Sequence, residues 1–342
     1  MNVVFFVRRY WPAVGGVERH VAALIDALVE LQPDLKITIV TELHDPKLER
    51  SELVHGVLVH RIPVGSSAKN LKKEIWSWLS EHEEILNAAD IIHIHDVFFW
   101  ILPQLLSLHR AKLFMTFHGY EPPGPPTRTQ RFWHQLAELC TEGNICVGGF
   151  HQKWYRVTPT FTTFGATSLT SKQPRVRKKS GKHYLFVGRL EADTGIWSYL
   201  ESMQRLSTEN ITLDVIGDGP LRGQLERFVQ RSQLSVNFLG TQSVSAETYQ
   251  RYDASLVSGY LSILESLAAG VPVISTYATQ LKHDYLTDTP FFDWISVAAP
   301  GNELDAAMMS PKAQNFAAQE WASAQSWQLL AKQYLSLWKV NS

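Results

Sequence analysis

Apolar and polar positions along this chain alternate between two periods. Short β-branched or aromatic runs read as buried strands. Each is followed by a stretch whose apolar residues recur every three to four positions, which reads as a helix. The clearest case is DASLVSGYLSILESLAAGVPVIST at 253–276. Leu261, Leu264, Leu267 and Ala268 fall on one face of a helix over 261–269, with Glu265 one residue off that stripe. Gly270 suits the end of that helix, and 271–274 reads as a short buried strand. Ser258 and Gly259 make a polar turn before it. A helix N-terminus at the end of a strand is where an α/β protein usually receives an anionic ligand. Glu265, about one turn in, is placed to accept hydrogen bonds from sugar or ribose hydroxyls. The plainer alternative is a solvated position on an ordinary crossover helix.

The same strand, turn and helix order recurs on both sides of the chain. In the first half, residues 2–7 read as a strand, Gly15 and Gly16 as a flexible loop, and 17–31 as a helix with Val21, Leu24, Ile25 and Leu28 on its core face. Strands follow at 36–41 and 57–62, then an amphipathic helix over 71–86. A strand over 90–95 puts His93 and His95 on one face, with Asp96 after them. A crossover helix over 98–108 leads to a strand over 112–117, which delivers His118 and Gly119. A proline-rich loop at 121–126, a helix over 132–141 and a strand over 144–147 complete this half. In the second half a strand over 183–187 ends in Gly188 and Arg189, and a helix over 196–206 follows. The next strand, 212–216, ends in Gly217, Asp218, Gly219 and Pro220, before a helix over 221–232 and a strand over 236–239. Periodicity blurs through 277–295. Residues 312–340 read as one or two helices striped by Trp321, Ala324, Trp327, Leu330, Ala331, Tyr334 and Leu337.

This order predicts an α/β protein of two Rossmann-like, doubly wound domains facing a cleft. The expected boundaries are an N-terminal domain at 1–166, a polar and basic linker at 167–182, a second domain at 183–311 and a terminal helical region at 312–342. A length of 342 residues agrees, since it exceeds what one core usually serves.

Composition narrows the function classes. Hydrophobic residues make up 45% and charged residues 19%, and the formal net charge of -1 gives no support for a general nucleic-acid binder. The basic run Arg175, Arg177, Lys178, Lys179 and Lys182 lacks aromatic interleaving and reads as solvated linker. Cys140 and Cys146 have no metal-ligand spacing, and His93 and His95 have no third ligand beside them, so no metal is expected. Reduced cysteines fit a cytoplasmic protein. The opening MNVVFFVRRYWP places its charges after a short apolar run, as a strand does and a signal peptide does not. No apolar run is long enough to span a membrane. Trp76, Trp78, Trp321, Trp327 and Trp338 lie in amphipathic stretches, and Lys69, Lys72 and Lys73 cluster beside the first two. Those features leave peripheral contact with a partner or the inner membrane face open.

The chemistry gathers at strand ends. Gly15 and Gly16 permit close approach of a ligand to a helix N-terminus, but a lone glycine pair is not the GxGxxG of a dinucleotide site. His118 can hydrogen-bond, carry charge near neutral pH or relay a proton. Arg189 offers a planar fork for phosphate oxygens. The GDGP turn suits close approach of a ring.

Taken in order, GGVERH at 15–20, DIIHIHD at 90–96, TFHG at 116–119, VGRLEADTG at 187–195, IGDGP at 216–220, FLG at 238–240 and ILESLAAGVPVIS at 263–275 resemble the retaining GT-B glycosyltransferases of family 4, also called glycosyl transferases group 1. The resemblance covers nearly the whole chain. It implies a hexosyltransferase-type enzyme that moves a sugar from a nucleotide- or phosphate-activated donor to an acceptor hydroxyl of a saccharide, glycolipid or small molecule. Polysaccharide or glycoconjugate synthesis is the implied setting, with no cofactor and no metal. It implies catalytic roles for His118, Arg189 and Glu265. Donor contacts fall on Gly15, Gly16, Gly188, Arg189, Gly217, Asp218, Gly219, Ser262, Ile263, Leu264 and Glu265. The first domain becomes the acceptor side and the second the donor side, with the terminal helices crossing back onto the first.

Two positions depart from the family pattern. Its usual lysine, five residues after the arginine, is Thr194 here, and its usual glutamate, eight residues before Glu265, is Val257. The lysine supplies positive charge to the leaving diphosphate, a contribution of several kcal/mol in a dry site. No replacement stands nearby in sequence, leaving Arg8, Arg9 or Arg19 as candidates. The alternative functions are an inactive GT-B protein that binds a sugar or partner, and an epimerase or phosphorylase on the same architecture.

Overall fold

The computed structural model describes residues 1–65, 70–105, 110–120, 124–170 and 182–339. Lys69, the end of the expected 98–108 helix, the start of the 121–126 loop and the basic run of the linker lie outside the described residues, except that Lys182 opens a strand. The chain divides into two compact units. One holds Met1–Tyr120, Pro126–Thr163 and Trp327–Ser342, and the other holds Glu121–Pro125 and Phe164–Ser326.

The first unit is built on an eight-stranded sheet. Its strands are β1 (Asn2–Val7), β2 (Lys36–Glu42), β3 (Ser51–Val54), β4 (Val57–Ile62), β5 (Ile91–His95), β6 (Lys112–Phe117), β7 (Gly143–Val147) and β8 (Phe161–Thr163). The order is β3-β4-β2-β1-β5-β6-β7-β8, and every pairing is parallel except β3 with β4. Val3 to Val7 are all buried, as expected of a central parallel strand covered on both faces. Strand order reverses at β1, so the ends of β1 and β5 flank the point where such sheets take ligands. Helix Gly16–Leu31 buries Val21, Leu24, Ile25 and Leu28. Helix Trp327–Lys339 packs against it and buries Leu330, Ala331, Tyr334, Leu337 and Trp338.

Three local features differ from the sequence expectation. Phe98–Trp100 and Leu102–Gln104 are separate 3-10 turns rather than the start of a crossover helix. Pro103 lacks the amide that would continue an α-helix there. The 71–86 helix breaks into Leu71–Glu81 and Glu83–Asn87, because the His82 Nδ1 lies 2.8 Å from the Trp78 carbonyl oxygen and its ring stacks on Trp78. Strand β3 was not anticipated. His55 and Gly56, both at positive φ, form the tight hairpin that joins it to β4. Arg61 on β4 is fully buried. It donates to the carbonyls of Glu49 and Trp11, both at 2.9 Å, and pairs with Glu52 at 2.6 Å, which fixes the loop leading to Gly15.

The second unit carries a wholly parallel six-stranded sheet. Its strands are β9 (Lys182–Val187), β10 (Ile211–Ile216), β11 (Ser235–Gly240), β12 (Ala254–Leu256), β13 (Val273–Thr276) and β14 (Ser296–Ala298), in the order β11-β10-β9-β12-β13-β14. The order reverses between β9 and β12, whose ends carry Arg189 and Gly259. Tyr184, Phe186, Leu190, Ile196, Leu200, Leu213, Val215, Leu256 and Ile274 form its core. Helix Tyr260–Ala268 follows β12 as expected. β13 begins two residues later than expected, beyond Pro272, which has no amide for the ladder. The blurred segment resolves into helix Gln280–Thr287, a 3-10 turn at Phe292–Trp294 and β14, then helix Asn302–Met309. The terminal region is two helices. Phe316–Ala324, capped by Asn315, belongs to the second unit, and Trp327–Lys339 belongs to the first.

Candidate active site

In the first unit the ends of β5 and β6 assemble a buried histidine network. Asp96 adopts φ +61°, a left-handed conformation costly for a side chain other than glycine, and its Oδ1 accepts the backbone amide of His118 at 2.9 Å. His118 is 8% exposed. Its Nε2 lies 2.8 Å from His95 Nδ1, and its ring meets His20 edge-on at 4.7 Å. His95 Nε2 is buried without a hydrogen-bond partner. A buried N–H without an acceptor costs more than a bare lone pair, so we assign the His95 proton to Nδ1. His118 Nε2 then accepts, and His118 Nδ1 carries the ring's proton.

The neighbouring tautomer is fixed by the last helix. Trp338 Nε1 donates to His93 Nδ1 at 3.0 Å, so His93 Nε2 carries the proton and donates to Thr116 Oγ1 at 2.7 Å. Tyr334 Oη lies 2.8 Å from the same Thr116 oxygen. Burial pushes His93 down to about 3 and His20 down to about 4, and holds His95 and His118 well below the usual imidazole range. All four are neutral at pH 7. His118 is therefore an imidazole hydrogen-bonding group, not the charge carrier that a solvent-exposed histidine would be. Among the described residues no group of three or more His, Cys, Asp or Glu side chains is arranged to hold a metal.

The glycine pair of this unit divides in role. Gly15 is the N-cap of helix Gly16–Leu31, and Glu18 folds its carboxylate back over it, so an added Cβ would fall 2.2 Å from Glu18 Oε2. Gly16 is exposed, with open space where a Cβ would stand. Arg8 projects outward, its Nε 3.9 Å from Glu42.

In the second unit the turns after β9 and β10 are knitted together. Gly188 N donates to Ile216 O at 3.1 Å, Leu190 N to Asp218 O at 2.9 Å, and Leu221 N to Leu190 O at 3.1 Å. A Cβ on Gly217, at φ +141°, would stand 1.9 Å from Gly188 O, and one on Gly219 would stand 2.7 Å from Leu190 O. These two glycines are required by contact between the two turns, whatever ligand reaches them. Asp218 is exposed and accepts from Gly219 N and Arg222. Arg189 is half-exposed and pairs with Glu191 at 2.8 Å and Asp193 at 3.3 Å.

Helix Tyr260–Ala268 begins at Gly259, a residue with no side chain to cap it, and its first amide, Tyr260 N, donates to the Tyr285 hydroxyl at 3.2 Å. Ile263 and Leu264 are fully buried and bring only backbone to this end, and the Ile263 amide closes on Gly259 O. Ser262 is partly exposed. Glu265 is 6% exposed and accepts from the Tyr249 hydroxyl at 2.8 Å, so it is not the solvated helix position of the plainer alternative. Val257 is fully buried and cannot take the part of a carboxylate. Thr194 turns its hydroxyl onto Glu191 O at 2.7 Å.

Two family models match the chain in tandem. Glycosyltransferase Family 4 matches residues 14–156, and glycosyl transferases group 1 matches residues 181–290. The chain belongs to this glycosyltransferase family. Its two Rossmann-like units give it the GT-B fold. Sucrose-phosphate synthase from Thermosynechococcus elongatus is similar, with a TM-score of 0.77 at 16% identity over 99% of this chain and 98% of that one. The lipopolysaccharide outer core galactosyltransferase WaaB, in its apo form, gives 0.66 at 15% identity over 98% and 99%. Anabaena HepE, in complex with UDP and glucose, gives 0.69 at 15% identity over 98% of each chain. No curated protein sequence matches this chain. As a glycosyltransferase, the enzyme moves a sugar from an activated donor to an acceptor.

Sequence reasoning missed four residues of these clusters. Asp96 follows His95 in the sequence, but its left-handed φ is invisible there. Tyr249 sits on the five-residue helix Ala246–Gln250, too short to show a period. Trp338 read only as one of several tryptophans. Lys282 lies in the segment where periodicity blurs. Its Nζ donates to Ser258 O at 2.7 Å and sits 4.1 Å from the Tyr285 ring centroid.

Proposed function

We propose that this glycosyltransferase moves a hexosyl group from a nucleoside diphosphate sugar to a hydroxyl of a saccharide or glycolipid, with retention at the anomeric carbon and without a metal. The observation that carries this reading is the constellation at the ends of β9 and β12. There a guanidinium on the turn after β9 stands with the glycine-started helix that follows β12 and with the buried, oriented carboxylate that this helix carries. Arg189 and the Tyr260 helix end meet the diphosphate, and Glu265 accepts the ribose hydroxyls. Solved structures of similar fold contain UDP with glucose, and UDP-2-fluoro glucose.

In the reaction the bond from the anomeric carbon to the leaving phosphate oxygen breaks, and its electron pair goes to the phosphate. The acceptor oxygen bonds to the same carbon, and its proton passes to the leaving phosphate. Stabilising that phosphate is the largest electrostatic task. Neutral His118, donating from Nδ1, is the hydrogen-bonding group that the first unit offers to a sugar hydroxyl. The first unit takes the acceptor, and the enzyme acts in the cytoplasm on polysaccharide or glycoconjugate precursors, at the inner membrane face where the acceptor is lipid-linked.

The test is product analysis with a panel of UDP-, GDP- and ADP-hexoses and simple glycoside acceptors, with the anomeric configuration of the product read by NMR. A product that retains the donor's configuration supports the reading, and inversion or release of free sugar phosphate contradicts it. The buried Val257 favours one second reading, a protein that binds the donor and does not transfer. Donor binding without turnover across the panel identifies it.

A further inference from the structure

Arg189 is not a free cation. Glu191 and Asp193 both pair with it, so the turn after β9 carries two carboxylates against one guanidinium. A diphosphate arriving there needs more positive charge than the turn supplies. Thr194, on the same turn, has none to give.

A lysine reaches this turn from another element. Ser258 links the two. Its hydroxyl donates to Thr194 O at 2.9 Å, and its carbonyl accepts from Lys282 Nζ at 2.7 Å. The side chain of Lys282, on helix Gln280–Thr287, is thus brought two hydrogen bonds from the Thr194 backbone. It stops at the residue before Gly259, where the helix carrying Glu265 begins. The arrangement is fixed from several sides. Tyr260 N donates to Tyr285 Oη at 3.2 Å, the Tyr260 and Tyr285 rings stack at 4.0 Å, and Lys282 lies over the Tyr285 ring.

We propose that Lys282 is the second cation of the diphosphate cradle, supplying from helix Gln280–Thr287 the charge that Thr194 lacks. This rests on reading the β9 and β12 ends as the donor site. Lys282 is 7% exposed, and burial, with Arg189 adding to it and Asp193 opposing it, pushes its amine down to about 7. Keeping an ammonium buried is costly, and an apolar side chain of similar volume is often as stable or more so. An anion entering beside Arg189 restores the charged form, so the cost is recovered when ligand binds.

The test is calorimetric titration of wild type, Lys282→Met and the Lys282→Met/Thr194→Lys double variant with UDP, GDP and ADP and the matching monophosphates. Lys282→Met is expected to weaken the preferred diphosphate at least tenfold, to affect the monophosphate less, and to leave the melting temperature unchanged or higher. Placing lysine at 194 is expected to recover at least part of the loss. Lys282→Gln, which keeps a donor for Ser258 O, carries the same comparison if the methionine variant does not fold. Unchanged diphosphate binding overturns the role of Lys282 and leaves the donor site standing. An equal loss for mono- and diphosphate with no recovery in the double variant makes Lys282 a structural tie and also overturns it. Failure of wild type to bind any of the three nucleotides overturns the donor site and this inference together.

Discussion

Tyr249 holds Glu265 by a 2.8 Å hydrogen bond between two buried side chains. The carboxylate is therefore set before any ligand arrives. Its partner is placed by the Ser245 capping box at the start of helix Ala246–Gln250. Loss of the hydroxyl in Tyr249→Phe is expected to cost about 1–3 kcal/mol of stability, as for a buried charged group losing a donor. Donor affinity should fall by less than tenfold, since Glu265 itself remains. Thermal melting and nucleotide titration check both, and two unchanged values contradict the assignment.

The first unit should be acid-sensitive. His20 and His93 are held neutral by burial, at about 4 and about 3, against an ordinary value of 6.5. Burial also holds His95 and His118 well below that value. Below pH 6.5 the unfolded chain takes up protons that the folded chain refuses, so their stability contribution is complete above 6.5 and shrinks as pH falls toward 4. Each fully buried imidazole contributes up to about 1.4 kcal/mol per pH unit in that window. The melting temperature is expected to drop by several degrees between pH 7 and pH 5.5. A flat profile contradicts the neutral network.

Trp338→Phe leaves the His93 Nδ1 acceptor unpaired and frees its tautomer. A loss of about 1–2 kcal/mol is expected. In a double-mutant cycle with His93→Phe the two substitutions should couple by about 1 kcal/mol, and additivity contradicts the bond.

Gly217→Ala and Gly16→Ala separate glycines held by packing from glycines that are not. The first forces a Cβ to 1.9 Å from Gly188 O, and the second meets open space. Gly217→Ala should destabilise by more than about 2 kcal/mol, and Gly16→Ala by less than about 0.5 kcal/mol. Equal effects in denaturant melts contradict the geometry.

The alternation of strand and helix, the strand ends bearing His118 and Arg189, and the helix bearing Glu265 were legible because hydrophobic period and turn glycines are local signals. Lys282 was not, since its link to Thr194 runs through Ser258, between elements that the sequence separates by 88 residues (194 to 282). Tyr249 and Trp338 act the same way, reaching across the fold to residues on other elements. The glycines of the GDGP turn were legible as a turn, but their reason, contact with the Gly188 turn, needs a register that only the paired strands β9 and β10 supply. Pro103 is a local signal too, since a residue without an amide stands inside the apolar run that suggests a helix, and the chain forms a 3-10 turn there.

The proposed diphosphate site lies at the ends of β9 and β12. A thermal-shift screen of wild type, Arg189→Ala and Glu265→Ala against nucleoside diphosphates and nucleotide sugars tests it most directly. A stabilising shift with one nucleotide is expected, abolished by both substitutions, with Arg189→Ala weakening binding well over tenfold. A shift that survives both substitutions, or no shift with any nucleotide, contradicts it.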